Sequence, residues 1–143
     1  MIEIKKFRFG NTKLMQIAHE IRHEVFVIGQ NCPEELEWEF EEESTHFLVF
    51  NNKKAVATAR HRKTIKGYKL ERFAVLASKR GKGYGKKVLQ AILADLADFN
   101  GLLYMHAQVQ VLPFYEKLGF EKEGEIFEEA GIMHYKMVLQ NNY

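Results

Sequence analysis

The sequence predicts an α+β (mixed α/β) fold: a mostly antiparallel mixed sheet with one central parallel strand pair and flanking helices. Three observations carry this expectation. A strand and an amphipathic helix open the chain and are followed by three strand-like runs on short turns, the order of an antiparallel sheet. A helical stripe then separates two further strand-like runs, 70–76 and 102–109, so those two should lie parallel through a right-handed crossover. A last pair of strand-like runs reads as a closing hairpin.

The 143 residues suit one domain, 1–143, around a single core. Hydrophobic content of 46%, only two prolines and abundant aromatics exclude a disordered chain. No window approaches the ~20 apolar residues that span a bilayer, and the first ten residues lack a long apolar run. The expectation is therefore a cytoplasmic protein with no membrane partner. The lone Cys32 agrees with a reducing compartment and has no neighbouring His to make it a nucleophile. Seven glutamates crowd residues 34–43, leaving 12 acidic residues against 21 basic ones elsewhere. The basic residues concentrate at one turn rather than along a ribbon, so nucleic acid is not an expected partner.

Taken in order, Ile2, Ile4 and Phe7 alternate with charged residues as a first strand. Gly10, Asn11 and Thr12 supply a helix N-cap, and Leu14, Ile17, Ala18, Ile21, Val25 and Ile28 form a buried helical stripe ending at Gly29. Within this helix HEIRH, residues 19–23, formally matches a zinc protease motif. Its two histidines point away from the apolar stripe, toward solvent, and no metal is expected. Leu36, Trp38 and Phe40 sit among the glutamates in a short helix or an irregular flap, with Trp38 exposed. Residues 47–50 and 55–60 read as a hairpin turning at Asn51 and Asn52, and Gly67 makes the next turn. After the strand 70–76, Tyr84, Val88, Leu89, Ile92, Leu93, Leu96 and Phe99 give the second amphipathic helix. Pro113 starts a short helix closed by Gly119. Residues 120–127 and 133–139 form the final hairpin.

The richest stretch is LERFAVLASKRGKGYGKKVL, residues 70–89, a strand followed by a bare loop and a helix start. Gly81, Gly83 and Gly85 let backbone N–H groups approach a ligand, and a helix N-terminus carries unpaired donors and partial positive charge. Lys79, Arg80, Lys82, Lys86 and Lys87 crowd the same turn, which suits a ligand with several negative charges. The spacing fits neither a Walker A loop nor a dinucleotide fingerprint, because Lys86 stands where the second glycine of the one and the third of the other would be. What remains is Arg-x-x-Gly-x-Gly at Arg80, Gly83 and Gly85.

That stretch resembles the pyrophosphate-binding loop of the GCN5-related N-acetyltransferase (GNAT) family, which moves an acetyl group from acetyl-CoA to an amine. HAQVQVLPFYEKLGF, residues 106–120, is similar to the second half of that family's cofactor site. More narrowly, RHEVFVIGQ, ATAR at 57–60 and EAGIMHYKM resemble the ElaA-like branch, although Gly29 stands where that branch commonly has Glu. The resemblance implies the family's sheet, in which two parallel strands splay around the pantetheine arm of acetyl-CoA. It also implies backbone contacts from Phe73 and Val75 to that arm, with the Val75 N–H toward the thioester oxygen. The pyrophosphate falls to Arg80, Gly81, Lys82, Gly83, Tyr84, Gly85 and Lys86. Gln108 contacts the arm or a positioned water, and Tyr115 stands at the sulfur as general acid.

Glu71, four residues before Val75 on one strand, should share its face and serves either as a general base, directly or through water, or in an ion pair. His134 and His46 are weaker candidates for lining the acceptor site. The acceptor implied is a small-molecule or protein amine, with the acidic segment 34–43 favouring a cationic one, and a homodimer is frequent on this fold. A catalytically silent acyl-CoA-binding module on the same fold is the competing reading, and a zinc hydrolase built on HEIRH the third.

Overall fold

The structure, a computed structural model, describes residues 1–32 and 38–141, without the side chains of residues 140 and 141. Strands β1 (Ile2–Arg8), β2 (Ser44–Asn51), β3 (Lys54–Thr64), β4 (Gly67–Val75), β5 (Gly101–Gln108), β6 (Glu121–Glu129) and β7 (Ile132–Asn141) form one sheet in the order β1-β2-β3-β4-β5-β7-β6. Every neighbouring pair is antiparallel except β4 and β5, the parallel pair that the crossover argument requires.

Helix α1 (Thr12–Arg22) covers one face of the sheet, packing Met15, Ala18 and Ile21 with Phe7, Leu48, Phe50 and Ala74. Helix α2 (Tyr84–Asp95) covers the other, packing Val88, Leu89 and Ile92 with Phe47, Val56, Leu70 and Leu103. Helix α3 (Leu112–Glu116) follows β5 on the α2 side. Burying an apolar face on each side of a sheet is the largest stabilising contribution such a chain has. Among the described residues no helix is long and apolar enough to cross a membrane.

The first helix does not stop at Gly29. Asn11 caps it by accepting from the Leu14 N–H, but beyond Arg22 it widens into a π-helical stretch, His23–Ile28, and continues through Gly29 and Gln30. Gly29 has ordinary helical dihedrals (φ −74°), and the chain leaves the helix at Asn31, whose left-handed φ of 56° is one that Asn tolerates at helix ends. The wider turn shifts the phase of the apolar stripe, which is why Ile28 is exposed rather than buried.

The first hairpin turns one residue later than the Asn pair implies, with positive φ at Asn52 and Lys53. The closing hairpin turns at Ala130 and Gly131, so its strands run further into the loop than the pattern indicated. Trp38 is half-buried, with His19 4.4 Å from its ring and the Arg22 guanidinium 5.5 Å away. Residues 38–43 form turns, while residues 34–37 of the acidic run lie outside the described residues.

Two features of β4 shape everything near it. Gly67 has φ +143°, and a Cβ there would stand 2.1 Å from the Leu102 carbonyl oxygen, so only glycine lets β4 start this close to β5. Farther along, the β3–β4 register shifts between Thr58/Ala74 and Arg60/Glu71, and Arg72 takes φ 59°, a β-bulge. The extra residue reverses the strand's alternation. Leu70, Phe73 and Val75 pack toward α2, whereas Ala74 packs toward α1.

Candidate active site

Pairing between β4 and β5 is limited to Tyr68 with Leu103 and Lys69 with Tyr104. Beyond these the strands part, and a cavity of about 610 Å³ opens between them, within the range of small-molecule sites. Its lining runs from Phe73 and Val75 on β4 to Gln108 on β5 and Tyr115 on α3.

The Leu76 N–H bonds to the Val56 carbonyl, so by antiparallel alternation the Ala57/Val75 pair directs its polar groups away from β3. Consistent with this, the Val75 carbonyl accepts from Arg80 Nε at 3.1 Å. The Val75 N–H faces the cavity side, and Phe73 shares its parity.

The glycine loop forms the polar end of the cavity. Gly81 and Gly83 both have left-handed φ, and Gly83 caps α2 without any side-chain hydrogen bond, leaving the first-turn N–H groups open. Gly85 is helical instead. A Cβ there would lie 3.7 Å from Phe114 and 3.8 Å from Val75, ordinary contact distances, so its bareness serves close approach rather than backbone shape. Arg80, Gly81, Gly83, Tyr84, Gly85 and Lys86 line the cavity. Lys82 is exposed and is not part of the lining. The Tyr84 hydroxyl accepts from Asn51 Nδ2 at 2.7 Å, so Tyr84 offers the cavity backbone rather than phenol. A cradle of bare N–H groups, a guanidinium and a cleft between parted strands fit an extended, phosphate-bearing ligand.

Tyr115 is 7% exposed, with Phe73 and Phe120 against its ring. Its hydroxyl makes no hydrogen bond to any described residue. Burial pushes the phenol pKa upward, so the hydroxyl stays protonated. Gln108 is already engaged: its Nε2 donates to Gln30 Oε1 at 3.0 Å, and its Oε1 accepts from Gln30 Nε2 at 3.2 Å. This reciprocal amide pair ties the end of the first helix to β5. Gln30 was legible only as a member of a resembling string, because its partner is 78 positions away.

Of its two expected roles Glu71 takes the ion pair, though not on the expected face. The bulge takes it off the Val75 face, and its carboxylate accepts from Arg60 Nε at 2.8 Å and Arg62 Nε at 3.0 Å, with Lys69 Nζ at 3.4 Å. Burial alone would raise its pKa, but Arg60, Lys69, Arg72 and Arg62 outweigh burial and hold it at about 2. So weak a base is a poor acceptor for an ammonium proton. Glu71 serves as an anchor.

The same network takes in Glu41 of the acidic run, which turns inward onto Arg22, Arg60 and His19. Burial opposes its ionisation, yet His19, Arg22 and Arg60 hold its pKa at about 2. Two expectations change with it. His19 is paired rather than solvent-facing, and the charge of Glu41 is spent inside the protein rather than offered to a cationic acceptor. Among the described residues no group of three His, Cys, Asp or Glu side chains is arranged to hold a metal. His46 is 1% exposed, bonds the Glu41 carbonyl through Nε2 at 3.0 Å, and lines neither cavity.

These groups fix how stability responds to acid. Burial holds the pKa of His46 at about 4 against 6.5, so the unfolded chain binds its proton first and stability falls as pH drops from 6.5 to 4. Glu41 and Glu71, at about 2 against 4.5, contribute stability above 4.5 that is lost as pH falls toward 2. The unfolding free energy from urea titrations should therefore decline in two stages below pH 6.5, by on the order of 2 kcal/mol per group. A flat value from pH 7 to 5, or an upper stage that survives in His46→Gln, would contradict the assignment.

A second cavity of about 260 Å³ adjoins the first, bordered by Phe26, Phe40, Arg62, Ala130 and Ile132. Phe26, Gln30, Lys69, Glu71, Arg72, Gln108, Glu129 and His134 line both. The pair reads as one path with a wide end at the glycine loop and a smaller far end.

Residues 12–141 match a family model described as an acetyltransferase (GNAT) domain. The chain is 39% identical over 135 residues to the uncharacterized N-acetyltransferase YjcF of Bacillus subtilis, covering 90% of this chain and 94% of that one. Its fold is similar to the crystal structure of Escherichia coli ElaA, with a TM-score of 0.86 at 25% identity over 95% of this chain and 98% of that one. An aminoglycoside 6'-N-acetyltransferase complexed with coenzyme A is also similar in fold, with a TM-score of 0.77 at 15% identity and 97% coverage of each chain.

Proposed function

The chain belongs to the GNAT acetyltransferase family, in its ElaA-like branch, and we propose on that premise that residues 1–143 act as one domain transferring the acetyl group of acetyl-CoA to a primary amine. The amine belongs to a small molecule or a protein. The observation that carries this reading is the uncapped start of α2, with Gly81 and Gly83 in left-handed turns, opening on the cleft where β4 and β5 part. A similar fold has been seen with coenzyme A, which supports the same ligand here.

On this reading the first-turn N–H groups of α2, the guanidinium of Arg80 and Lys86 hold the pyrophosphate. Phe73 and Val75 offer backbone groups to the pantetheine arm, and the Val75 N–H polarises the thioester oxygen. Gln108, held by Gln30, borders the arm without reorganising. The thioester supplies an acetyl group already activated toward an amine. Tyr115 donates a hydrogen bond to the departing sulfur. Complete proton transfer from it is disfavoured, because its phenol is a weaker acid than a thiol of pKa ~8.5. Glu71 takes no part in the proton traffic.

Calorimetry with acetyl-CoA, followed by thiol release against a panel of amines, tests the reading. Binding without release from any amine would favour the silent binding module. Gly85→Ala sharpens the test: the methyl fits between Phe114 and Val75 and improves helix propensity, so thermal stability should hold or rise. It also occupies the approach to the N–H cradle, so acetyl-CoA affinity should fall at least about tenfold, or ~1.4 kcal/mol. Unchanged affinity in the folded variant would remove the loop from the site.

A further inference from the structure

We infer that His134 accepts the proton given up by the acceptor nitrogen, its Nε2 being the base at the junction of the two cavities. The inference rests on the acetyltransferase reading above and adds the group that reading lacks.

The hydrogen-bond partner of His134 fixes its tautomer. His134 Nδ1 lies 2.7 Å from the Ile132 carbonyl oxygen, which can only accept, so Nδ1 carries the hydrogen. In the neutral ring Nε2 is then a bare lone pair. It makes no hydrogen bond to any described residue and is not among the sealed-in polar atoms. The ring stacks on Phe127, with centroids 5.8 Å apart and planes within 20°, which fixes its orientation. His134 is paired across β5–β7 with Gln108, and both residues border both cavities.

The other titratable groups at this junction are committed elsewhere. Glu71 on β4 is bound by Arg60, Arg62 and Lys69. Arg72 on the same strand and Arg62 on β3 are cations with no basic lone pair. Glu129 on β6 is bonded to His106 Nδ1 of β5 at 3.0 Å. His106 lines the larger cavity but not the smaller. Glu39 lines only the smaller one. His134 alone among the described residues combines a bare imidazole nitrogen with a position on both cavities.

The step balances. The amine lone pair forms the new C–N bond as the C–S bond breaks, and the C–S electron pair leaves with the sulfur. The nitrogen's proton passes to His134 Nε2. The sulfur, held by the Tyr115 hydroxyl, takes a proton from solvent on leaving, and the imidazolium returns its proton to solvent.

His134→Asn is the informative variant, because its amide N–H can replace Nδ1–H in the bond to Ile132 while no basic nitrogen remains. Single-turnover acetyl transfer to an amine that the wild type accepts should fall by at least about tenfold at neutral pH. Added imidazole should restore part of it, and acetyl-CoA affinity by calorimetry should be unchanged. A purely structural role would lower affinity or stability and give no imidazole rescue. Independently of turnover, ring ¹⁵N chemical shifts should show the Nδ1–H tautomer with Nε2 unprotonated. Wild-type rates in His134→Asn, absence of rescue, or the opposite tautomer would overturn the inference. A wild type inert toward every amine would overturn the acetyltransferase reading beneath it, and this inference with it.

Discussion

Arg60→Met should destabilise the protein by about 3–5 kcal/mol, a loss on the scale of a small domain's whole margin. Arg60 is fully buried and bridges two carboxylates from distant segments, Glu41 after the first helix and Glu71 on β4. Methionine fills much of the volume, so the cost is electrostatic: two buried anions lose their shared cation. Arg22 and His19 remain beside Glu41, and Arg62 and Lys69 beside Glu71, which puts the effect below that of a fully orphaned pair. Urea unfolding reads it directly, and the denaturant slope should not change, since the core stays in place. Arg60→Met combined with Glu71→Leu should recover part of the loss, because it removes one of the stranded charges. A loss under about 1 kcal/mol in the single variant would mean that water or neighbouring cations already satisfy both carboxylates.

This network also explains which parts of the molecule were legible beforehand. Strand and helix order, the parallel pair and the glycine loop follow from local periodicity and from residues adjacent in the chain, as at Gly81 and Gly83. The sequence leaves Glu71 open between a base and an ion pair, and it misplaces the side chain's face, because a strand without a bulge puts residues four apart on one face and nothing in ERFAV announces the positive φ at Arg72. The acidic run looked like a solvated or acceptor-facing surface, yet Glu41 is turned inward by arginines 19 positions away on either side. The pairing of Gln30 with Gln108 and the tautomer of His134 are likewise products of three-dimensional convergence. A lone histidine on a terminal strand carries no spacing signal, so the sequence leaves His134 a weak candidate.

Tyr115→Phe should separate chemistry from stability. The hydroxyl makes no hydrogen bond to any described residue, while the ring packs among Phe73, Phe114 and Phe120. The hydroxyl is not among the sealed-in polar atoms and opens on the cavity, so deleting it leaves the packing intact and the thermal midpoint should hold. Acetyl-CoA affinity should change little, because the sulfur of an intact thioester gains little from the bond. As the C–S bond breaks, charge gathers on sulfur and the same hydroxyl becomes valuable. A single donor aimed at developing charge is worth about 10²–10³ in rate. The loss should therefore appear in single-turnover acetyl transfer, where slow product release cannot mask it. Because burial pushes the phenol's ionisation upward, the high-pH limb of the wild-type rate profile does not arise from Tyr115 and should survive in the variant. An unchanged single-turnover rate would return Tyr115 to the core, and a lost high-pH limb would show that its phenol ionises in the working range after all.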